Sequence, residues 1–338
     1  MLLVGAGVVS LVLLELLCRL LFSAPLPWLM PQHRFEASPT VGFRYQPSQS
    51  TYTADKPFRT NRFGFRGPEW SVEKSAGTRR IVVLGDSIGM GYGVREEDAF
   101  PALIERRAGP GVEVLNLSVA AYSTEQEVRS FLSDGLQFAP DQVVIELYWN
   151  DVSAKSDVAV TADGALIDGR SGDQRSSAEG PTAYWLRNLL KRSRALYVLS
   201  FKLRQVQALF SSPDTHTVLQ RAVLLGEPDA VLEQGWAEIE RQLAQLKVAC
   251  VERGIPLLVV IPPMPQQLTG GFPGARYQSV VGGICERQGL RCLNLLDAFQ
   301  RNYRGHESLF VAYDGDHPNE AGHALIADAV LAALATAR

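Results

Sequence analysis

The stretch "RRIVVLGDSIGMGYGV", residues 79–94, runs from a short apolar segment directly into a serine surrounded by glycines. Four of the five residues from Ile81 onward are branched and apolar, which is typical of a buried strand. Ser87 follows at once, with Gly85 before it and further glycines at 89, 91 and 93. A core strand therefore ends in a polar turn, and the role of Ser87 has to be explained.

The same strand-then-helix pattern continues to the end of the chain. Apolar runs predict five strands, at 80–84, 112–116, 142–148, 256–261 and 291–295. Helical spacing predicts helices near 97–108, 123–137, 231–253, 275–288 and 320–337. Strands rich in Val, Ile and Leu that alternate with helices indicate a parallel sheet covered on both faces. The sequence therefore predicts an α/β fold.

Ser87 is open to several interpretations. A dinucleotide-binding turn needs GxGxxG and an acidic residue at the end of the second strand, but that strand ends in Asn116. A phosphate-binding P-loop needs GK followed by Ser or Thr, which this stretch lacks. Residues 85–89 formally match the GxSxG turn of nucleophilic serines. Because a serine at a turn is more often a helix cap, a nucleophile needs partner residues.

Candidate partners lie far from Ser87 in the sequence. Asp314 stands three residues before His317 in "DGDHPN", where a loop enters the last helix. A nucleophilic serine needs a base to take its proton, and the base needs a carboxylate to hold its tautomer. Asn150 ends the third strand, where its amide can donate to an oxyanion. All of these residues follow strand ends on one edge of the sheet, where such folds bind ligands.

With these pieces in this order, the chain resembles the SGNH (GDSL) hydrolase family over roughly residues 79–338. The matching blocks are "GDS" at 85–87, "NLSVAAYST" at 116–124, "YWND" at 148–151 and "DGDH" at 314–317. Four blocks in the family's order are a much stronger signal than one. The resemblance implies an SGNH/flavodoxin-like three-layer α/β/α sandwich with a five-stranded parallel sheet.

The resemblance also assigns roles to individual residues. Ser87 is the expected nucleophile, and Asp314 and His317 complete a catalytic triad. The oxyanion hole is expected from the backbone N–H groups of Ser87 and Ala121 together with the side-chain amide of Asn150.

Two positions depart from the family's pattern. Ala121 stands where the family usually has glycine; alanine keeps the N–H donor, provided that the position does not require a positive φ. Tyr148 stands where the third block usually begins with glycine, and Trp149 follows it. Both changes narrow the site, and Tyr148 and Trp149 are candidate substrate-binding residues.

The first thirty residues are almost entirely apolar. Residues 1–14 carry no charge, and Glu15 and Arg19 then stand four apart, where they can pair on one helix face. About 20 apolar residues span a bilayer, so we predict a transmembrane anchor at 1–30 rather than a cleaved signal peptide. The run lacks the basic start and the small-residue cleavage site of a signal peptide.

The flanking charges do not decide which side of the membrane holds the domain. Arg19, His33 and Arg34 follow the apolar run, which taken literally favours a cytoplasmic domain, but long domains cross largely regardless of such charges. The anchor followed by "TNRFGFRGPE" at 60–69 also resembles membrane-anchored family members associated with cell-surface polysaccharides. We therefore expect an extracytoplasmic (periplasmic) catalytic domain on a single-pass anchor.

The rest of the chain divides into an N-terminal extension at 31–78 and a hydrolase domain at 79–338. Turns are predicted near Gly64 and Gly67 in the extension. A helical cap insertion is predicted at 152–230 of the hydrolase domain, with a basic amphipathic helix at 184–207. This helix either packs over the sheet or lies on a membrane. We prefer the cap, because the insertion follows the C-terminal end of a strand.

Composition excludes several other classes of protein. A net charge of −3 leaves no electrostatic footprint for nucleic acid. The four cysteines form no CxxC pair, so they are expected to be buried thiols, with a Cys285–Cys292 or Cys250–Cys285 bridge left open. No further ligands accompany "DGDH", so no metal and no cofactor are predicted. The oligomeric state is left open.

The function predicted from these observations is that of a membrane-anchored serine esterase. Its substrate would be an O-acyl ester, such as an acetyl group on a cell-surface polysaccharide. A lipase or lysophospholipase, or an acyltransferase acting on a sugar hydroxyl, would use the same site. The alternative from another class is a catalytically weak binding or assembly subunit of an envelope polysaccharide system. The expected partners are a glycan or lipid acyl ester and a membrane.

Overall fold

The computed structural model describes residues 2–21, 29–152, 158–168, 185, 188–189, 192–208, 215–272, 276–312 and 314–336. Its strands are β1 (Phe35–Ser38), β2 (Gly42–Tyr45), β3 (Ser50–Thr53), β4 (Lys56–Arg59), β5 (Arg79–Leu84), β6 (Val112–Asn116), β7 (Gln142–Glu146), β8 (Val158–Val160), β9 (Leu166–Asp168), β10 (Leu257–Ile261) and β11 (Arg291–Asn294). Its helices are α1 (Leu2–Leu21), α2 (Ser87–Met90), α3 (Phe100–Ala108), α4 (Thr124–Ser130), α5 (Arg194–Ala208), α6 (Thr215–Leu225), α7 (Ala230–Val251), α8 (Tyr277–Gln288), α9 (Leu296–Asn302) and α10 (Glu320–Ala335).

Five strands form one parallel sheet in the order β11-β10-β7-β5-β6. Each lies within two residues of its predicted position. Every residue of β7 and all but the first residue of β5 are buried, as expected for strands covered on both faces. The strand order is the flavodoxin-like 2-1-3-4-5, in which the direction of winding reverses between β5 and β7. Ligand sites form where the carboxyl ends of those two strands separate.

Two groups of helices cover this sheet. Helix α3, which connects β5 to β6, packs against α10, and α9 packs against α10 as well. Helix α4 packs against α7, which in turn packs against α8. Right-handed crossovers place α3 on one face and the helices of the second group on the other, because the winding reverses after β6. The three-layer α/β/α architecture predicted from the resemblance is therefore present.

The N-terminal extension consists of two short antiparallel hairpins, β1–β2 and β3–β4. Their inward aromatic side chains belong to the same apolar core as the sheet: Phe35, Phe43, Tyr45 and Phe58. The predicted turns are present, with positive φ at Gly64 and Gly67. The strands were missed in the sequence because four residues are too short to show a clear alternation.

Helix α1 lies against α5. The predicted pair of Glu15 and Arg19 forms, with Arg19 Nε donating to Glu15 Oε1 at 2.7 Å. The Glu15 carboxylate also accepts from the backbone N–H groups of Arg194 and Ala195, so it caps the first turn of α5.

Among the described residues, no helix is long and apolar enough to cross a membrane. The prediction of a transmembrane helix at 1–30 is therefore not supported.

The insertion at 152–230 is described only in parts. It contains the small hairpin β8–β9 and helices α5 and α6. Of the predicted helix at 184–207, residues 184, 186–187 and 190–191 lie outside the described residues. Helix α6 packs on the turn Trp149–Val152 that follows β7. This part of the insertion therefore lies next to the turn at the carboxyl end of β7. That the insertion as a whole caps the site stays a prediction. Of the four cysteines, Cys285 and Cys292 form a disulfide, and Cys18 and Cys250 are buried thiols.

Candidate active site

The serine turn is built by the end of β5 and the start of α2. Asp86 precedes the helix as its N-cap, and its carboxylate accepts from the backbone N–H of Ile88 at 2.8 Å. Ser87 is the first residue of α2 and is partly exposed, whereas Asp86 is buried. Cβ atoms at Gly85 and Gly89 would collide with Glu146 and Ser118. The glycines around Ser87 therefore allow the turn to pack closely on β7 and on the loop after β6.

The structure brings Ser87, His317 and Asp314 together, although Ser87 lies 230 residues before His317 in the chain. His317 Nε2 is 2.8 Å from Ser87 Oγ, and His317 Nδ1 is 2.8 Å from Asp314 Oδ1. The same carboxylate oxygen accepts from the backbone N–H groups of Asp316 and His317, at 2.9 and 2.7 Å. Asp314 is thus fixed by its own loop and can hold His317 with Nε2 directed at the serine.

The electrostatics of this pair suit a general base. Burial by itself raises the pKa of Asp314, but the adjacent imidazole and the backbone donors outweigh it and lower the pKa to about 2. For His317 the effect of burial is opposite, because burial disfavours the charged imidazolium and so lowers the pKa. The Asp314 carboxylate outweighs this effect, and the pKa of His317 is raised above its ordinary value. The arrangement stabilises an imidazolium next to Ser87.

The two candidate oxyanion donors besides Ser87 lie on neighbouring loops. Ala121 follows β6 and has a φ of 69°, so this position does adopt the positive φ that favours glycine. Asn150 lies in the turn Trp149–Val152 and donates through Nδ2 to Asp86 Oδ2 at 3.1 Å. Asp86 therefore links the serine turn to the loop that carries Asn150.

Tyr148 and Trp149 do not lie open to solvent. Trp149 is 1% exposed and Tyr148 3%. Tyr148 Oη and Trp149 Nε1 donate to Asp316 Oδ1 at 3.1 and 3.3 Å, and Gln220 Nε2 of α6 donates to the same oxygen at 3.1 Å. Contact of Tyr148 and Trp149 with a substrate stays a prediction, since both side chains are enclosed here.

Three residues near the site were not singled out in the sequence. The Asp86 carboxylate accepts hydrogen bonds from the serine turn and from the Asn150 amide. The ring of Tyr92 contacts the imidazole of His317. Gln220 of α6 donates a hydrogen bond to Asp316. Only Asp86 had a local signal, because Asp directly before a short helix is a common N-cap. Across the described residues, no group of His, Cys, Asp or Glu side chains is arranged to hold a metal ion.

Comparison with known proteins assigns the chain to a family. Residues 83–325 match the model of the GDSL-like Lipase/Acylhydrolase family. None of the curated proteins searched matches the chain.

Solved structures with a similar fold include a lipase/acylhydrolase from Enterococcus faecalis, at 16% identity over 77% of this chain and 97% of that one, with a TM-score of 0.44. Another is the psychrotrophic esterase EstA from Pseudoalteromonas sp., at 16% identity over 76% and 97%, with a TM-score of 0.41. The acetyl xylan esterase AlAXEase shows 12% identity over 75% and 99%, with a TM-score of 0.44. These likenesses are distant, and the assignment does not depend on them. The family match covers most of the chain: this protein belongs to the GDSL-like lipase/acylhydrolase family and is a serine hydrolase.

Proposed function

We propose that this hydrolase cleaves a short O-acyl ester, such as an acetyl ester on a polysaccharide, with Ser87, His317 and Asp314 as its catalytic triad. The observation that carries the proposal is the continuous chain of contacts from Ser87 Oγ through His317 to Asp314, with 2.8 Å at each step. A carboxylate, an imidazole and a hydroxyl in this order are what acyl transfer through a serine requires.

In the first half of the reaction, Ser87 Oγ attacks the ester carbonyl carbon while its proton passes to His317 Nε2. The carbonyl oxygen becomes an oxyanion, and its proposed donors are the N–H groups of Ser87 and Ala121 and the Asn150 amide. Asp314 stabilises the imidazolium without taking its proton. The C–O bond to the alcohol then breaks, the alcohol oxygen takes the proton from His317 Nε2, and an acyl-serine remains.

In the second half, a water molecule replaces the alcohol. His317 Nε2 accepts a proton from the water as its oxygen attacks the acyl carbon, and a second oxyanion forms in the same place. The bond to Ser87 Oγ breaks, Oγ regains the proton, and the carboxylic acid leaves. If a sugar hydroxyl took the place of water, the same steps would transfer the acyl group, so the acceptor decides between hydrolysis and transfer.

A short acyl group is supported by the two large side chains that precede Asn150. Tyr148 and Trp149 are enclosed and held by Asp316, so their volume occupies space next to the candidate oxyanion donor. Glycine at position 148 would leave that space open. We expect the filled space next to Asn150 to favour acetyl over long acyl chains.

The experiment combines a covalent probe with an ester series. A fluorophosphonate should label the native chain, and Ser87→Ala should abolish both labelling and turnover of p-nitrophenyl acetate by several orders of magnitude while the fold is kept. Acetyl esters should be cleaved faster than butyryl and octanoyl esters. Absence of labelling would favour a binding or assembly subunit, and a preference for octanoyl would favour a lipid ester.

We also propose that α1 attaches the protein to a membrane and that the catalytic domain is extracytoplasmic. Support comes from the leucines that α1 directs outward, among which Leu11 is 66% and Leu20 83% exposed. Leucines on α5 are exposed as well, at 196, 199 and 203. Apolar surface of this extent on a soluble domain marks an interaction site.

A further inference from the structure

The ring of Tyr92 lies against the imidazole of His317. The two ring centroids are 4.2 Å apart and the ring planes meet at 37°. Tyr92 is partly exposed and stands two residues beyond the end of α2. Asp314 holds the edge of the imidazole, and Tyr92 covers part of its face.

The turn that carries Tyr92 folds back on the serine. The backbone N–H groups of Gly91 and Tyr92 both donate to the carbonyl oxygen of Ser87, at 3.1 and 2.9 Å. Gly91 has a φ of 85°, and a Cβ there would press on Ala99 and on the guanidinium of Arg66. Because the turn shares its hydrogen bonds with Ser87, the position of the Tyr92 ring is tied to the position of the serine.

The N-terminal extension fixes this turn from outside. Arg66 is 1% exposed, and its guanidinium donates to the carbonyl oxygens of Met90, Gly91 and Val94, at 2.9, 2.6 and 2.9 Å. Thr53 Oγ1 also accepts from the N–H of Gly93 at 3.4 Å. A buried cation shared among three carbonyls of one turn leaves that turn little freedom.

We propose that Tyr92 is a positioning residue for the catalytic histidine, and that the extension holds it in place through Arg66. This inference rests on the proposed function. The face of an aromatic ring is electronegative, so it favours the imidazolium over the neutral imidazole. His317 becomes an imidazolium when it takes the Ser87 proton, and Tyr92 then stabilises the charge from the ring face while preventing rotation of the imidazole.

The titratable groups around His317 also act on its pKa, and the contribution of Tyr92 adds to theirs. Asp314 and Asp316 from its own loop and Asp86 from the serine turn all favour the imidazolium. On α10, burial lowers the pKa of His323 to about 3, so this neighbour stays neutral across the working range. Removal of the Tyr92 ring should lower the pKa of His317 further than removal of its hydroxyl alone.

The test compares Tyr92→Leu and Tyr92→Phe in the full chain with p-nitrophenyl acetate, with rates expressed per site titrated by a fluorophosphonate. Tyr92→Leu should reduce kcat/KM about 3- to 30-fold. It should also move the acid limb of the pH profile to lower pH, because His317 then loses its proton more readily. Tyr92→Phe should restore both. Tyr303→Leu, which removes another partly buried tyrosine, should change neither.

A second variant tests the support of the turn. Thr53→Val keeps the side-chain shape but removes the acceptor for Gly93, and it should shift the acid limb in the same direction by a smaller amount. The inference is overturned if Tyr92→Leu, still labelled at full stoichiometry, keeps the native rate and acid limb, or if Tyr92→Phe is as damaging as Tyr92→Leu. Failure of the native chain to react with the fluorophosphonate would instead refute the proposed function.

Discussion

Ala121 holds a backbone conformation that alanine adopts at a cost. Its φ of 69° lies in the left-handed region, where a Cβ costs about 1–2 kcal/mol. Glycine, which the family usually has here, avoids this clash but loses more entropy on folding, by about 0.5–1 kcal/mol. The N–H of Ala121 is a candidate oxyanion donor, so the strain lies in the part of the site that has to be rigid.

Ala121→Gly should therefore raise the thermal midpoint by about 1–4 °C and leave kcat/KM unchanged or higher. Ala139→Gly is the matched control, since Ala139 has a φ of 48° at an exposed turn away from the site. Both midpoints should rise in a calorimetric scan. A fall for Ala121→Gly beside a rise for Ala139→Gly would show that the methyl group of Ala121 contributes packing that outweighs the strain.

Asp314 and Asp316 should differ sharply in their effect on turnover. Asp314→Asn keeps the shape but favours the wrong tautomer of His317, a change that costs about 10⁴-fold in the serine-protease template. Asp316→Asn leaves an oxygen that can still accept from Trp149, so we expect a loss of no more than about tenfold. EDTA should leave native turnover untouched. Equal damage from the two variants, together with inhibition by EDTA, would favour a metal site in "DGDH".

The pH profile of these variants follows from the same charges. The pKa of His317 is raised in the native chain, so the acid limb of kcat/KM should lie above the ordinary histidine value of about 6.5. Loss of the Asp314 carboxylate lowers the pKa of His317 and moves the limb of the residual activity to lower pH. Asp316→Asn should move it in the same direction by less. A limb that moves to higher pH in either variant would contradict this assignment of the base.

At the residue scale, the sequence predicted the site residues that lie a few positions apart or that belong to sequence blocks in a known order. Asp314 and His317 are three residues apart, and Ser87 was joined to them by the order of the blocks. Tyr92 carried no such signal, because its ring reaches His317 only through a turn closed by the Ser87 carbonyl and by Arg66. Contacts that depend on backbone folding around a glycine are not visible as a pattern of residue types.

At the element scale, the five sheet strands were predictable because each is a run of at least four residues with an apolar centre. That centre is buried in four of the strands and half-buried in the edge strand β11. The hairpins of the extension were not predictable, although they support the loop after β6. Tyr45 Oη accepts from the N–H of Ala120, and Tyr122 Oη of that loop donates to the carbonyl oxygen of Phe43. Gln126 reaches the carbonyl oxygen of Val41. The position of the candidate donor Ala121 therefore depends on residues far outside the matched family segment.

At the scale of the whole molecule, the N-terminal extension and α1 contribute differently to the stability of the fold. The extension contributes Phe43, Tyr45 and the buried Arg66 to the common core and to the serine turn. Helix α1 contacts α5, and its Glu15 carboxylate accepts hydrogen bonds from the first turn of that helix. Loss of one N-cap costs about 1 kcal/mol, whereas loss of the extension would expose aromatic core residues and leave three carbonyls of the serine turn without Arg66.

Two truncations separate these roles. A chain that begins at residue 29 should fold, keep the native kcat/KM on p-nitrophenyl acetate, and no longer sediment with phospholipid vesicles that retain the full chain. A chain that begins at residue 79 keeps Ser87, His317 and Asp314 but should fail to give a cooperative thermal transition, because the hairpins and Arg66 are gone. Sedimentation of the 29–338 chain with vesicles would move the membrane contact from α1 to the exposed leucines of α5. A folded and active 79–338 chain would show that the extension is dispensable for the site, and the positioning of Tyr92 through Arg66 would then be wrong.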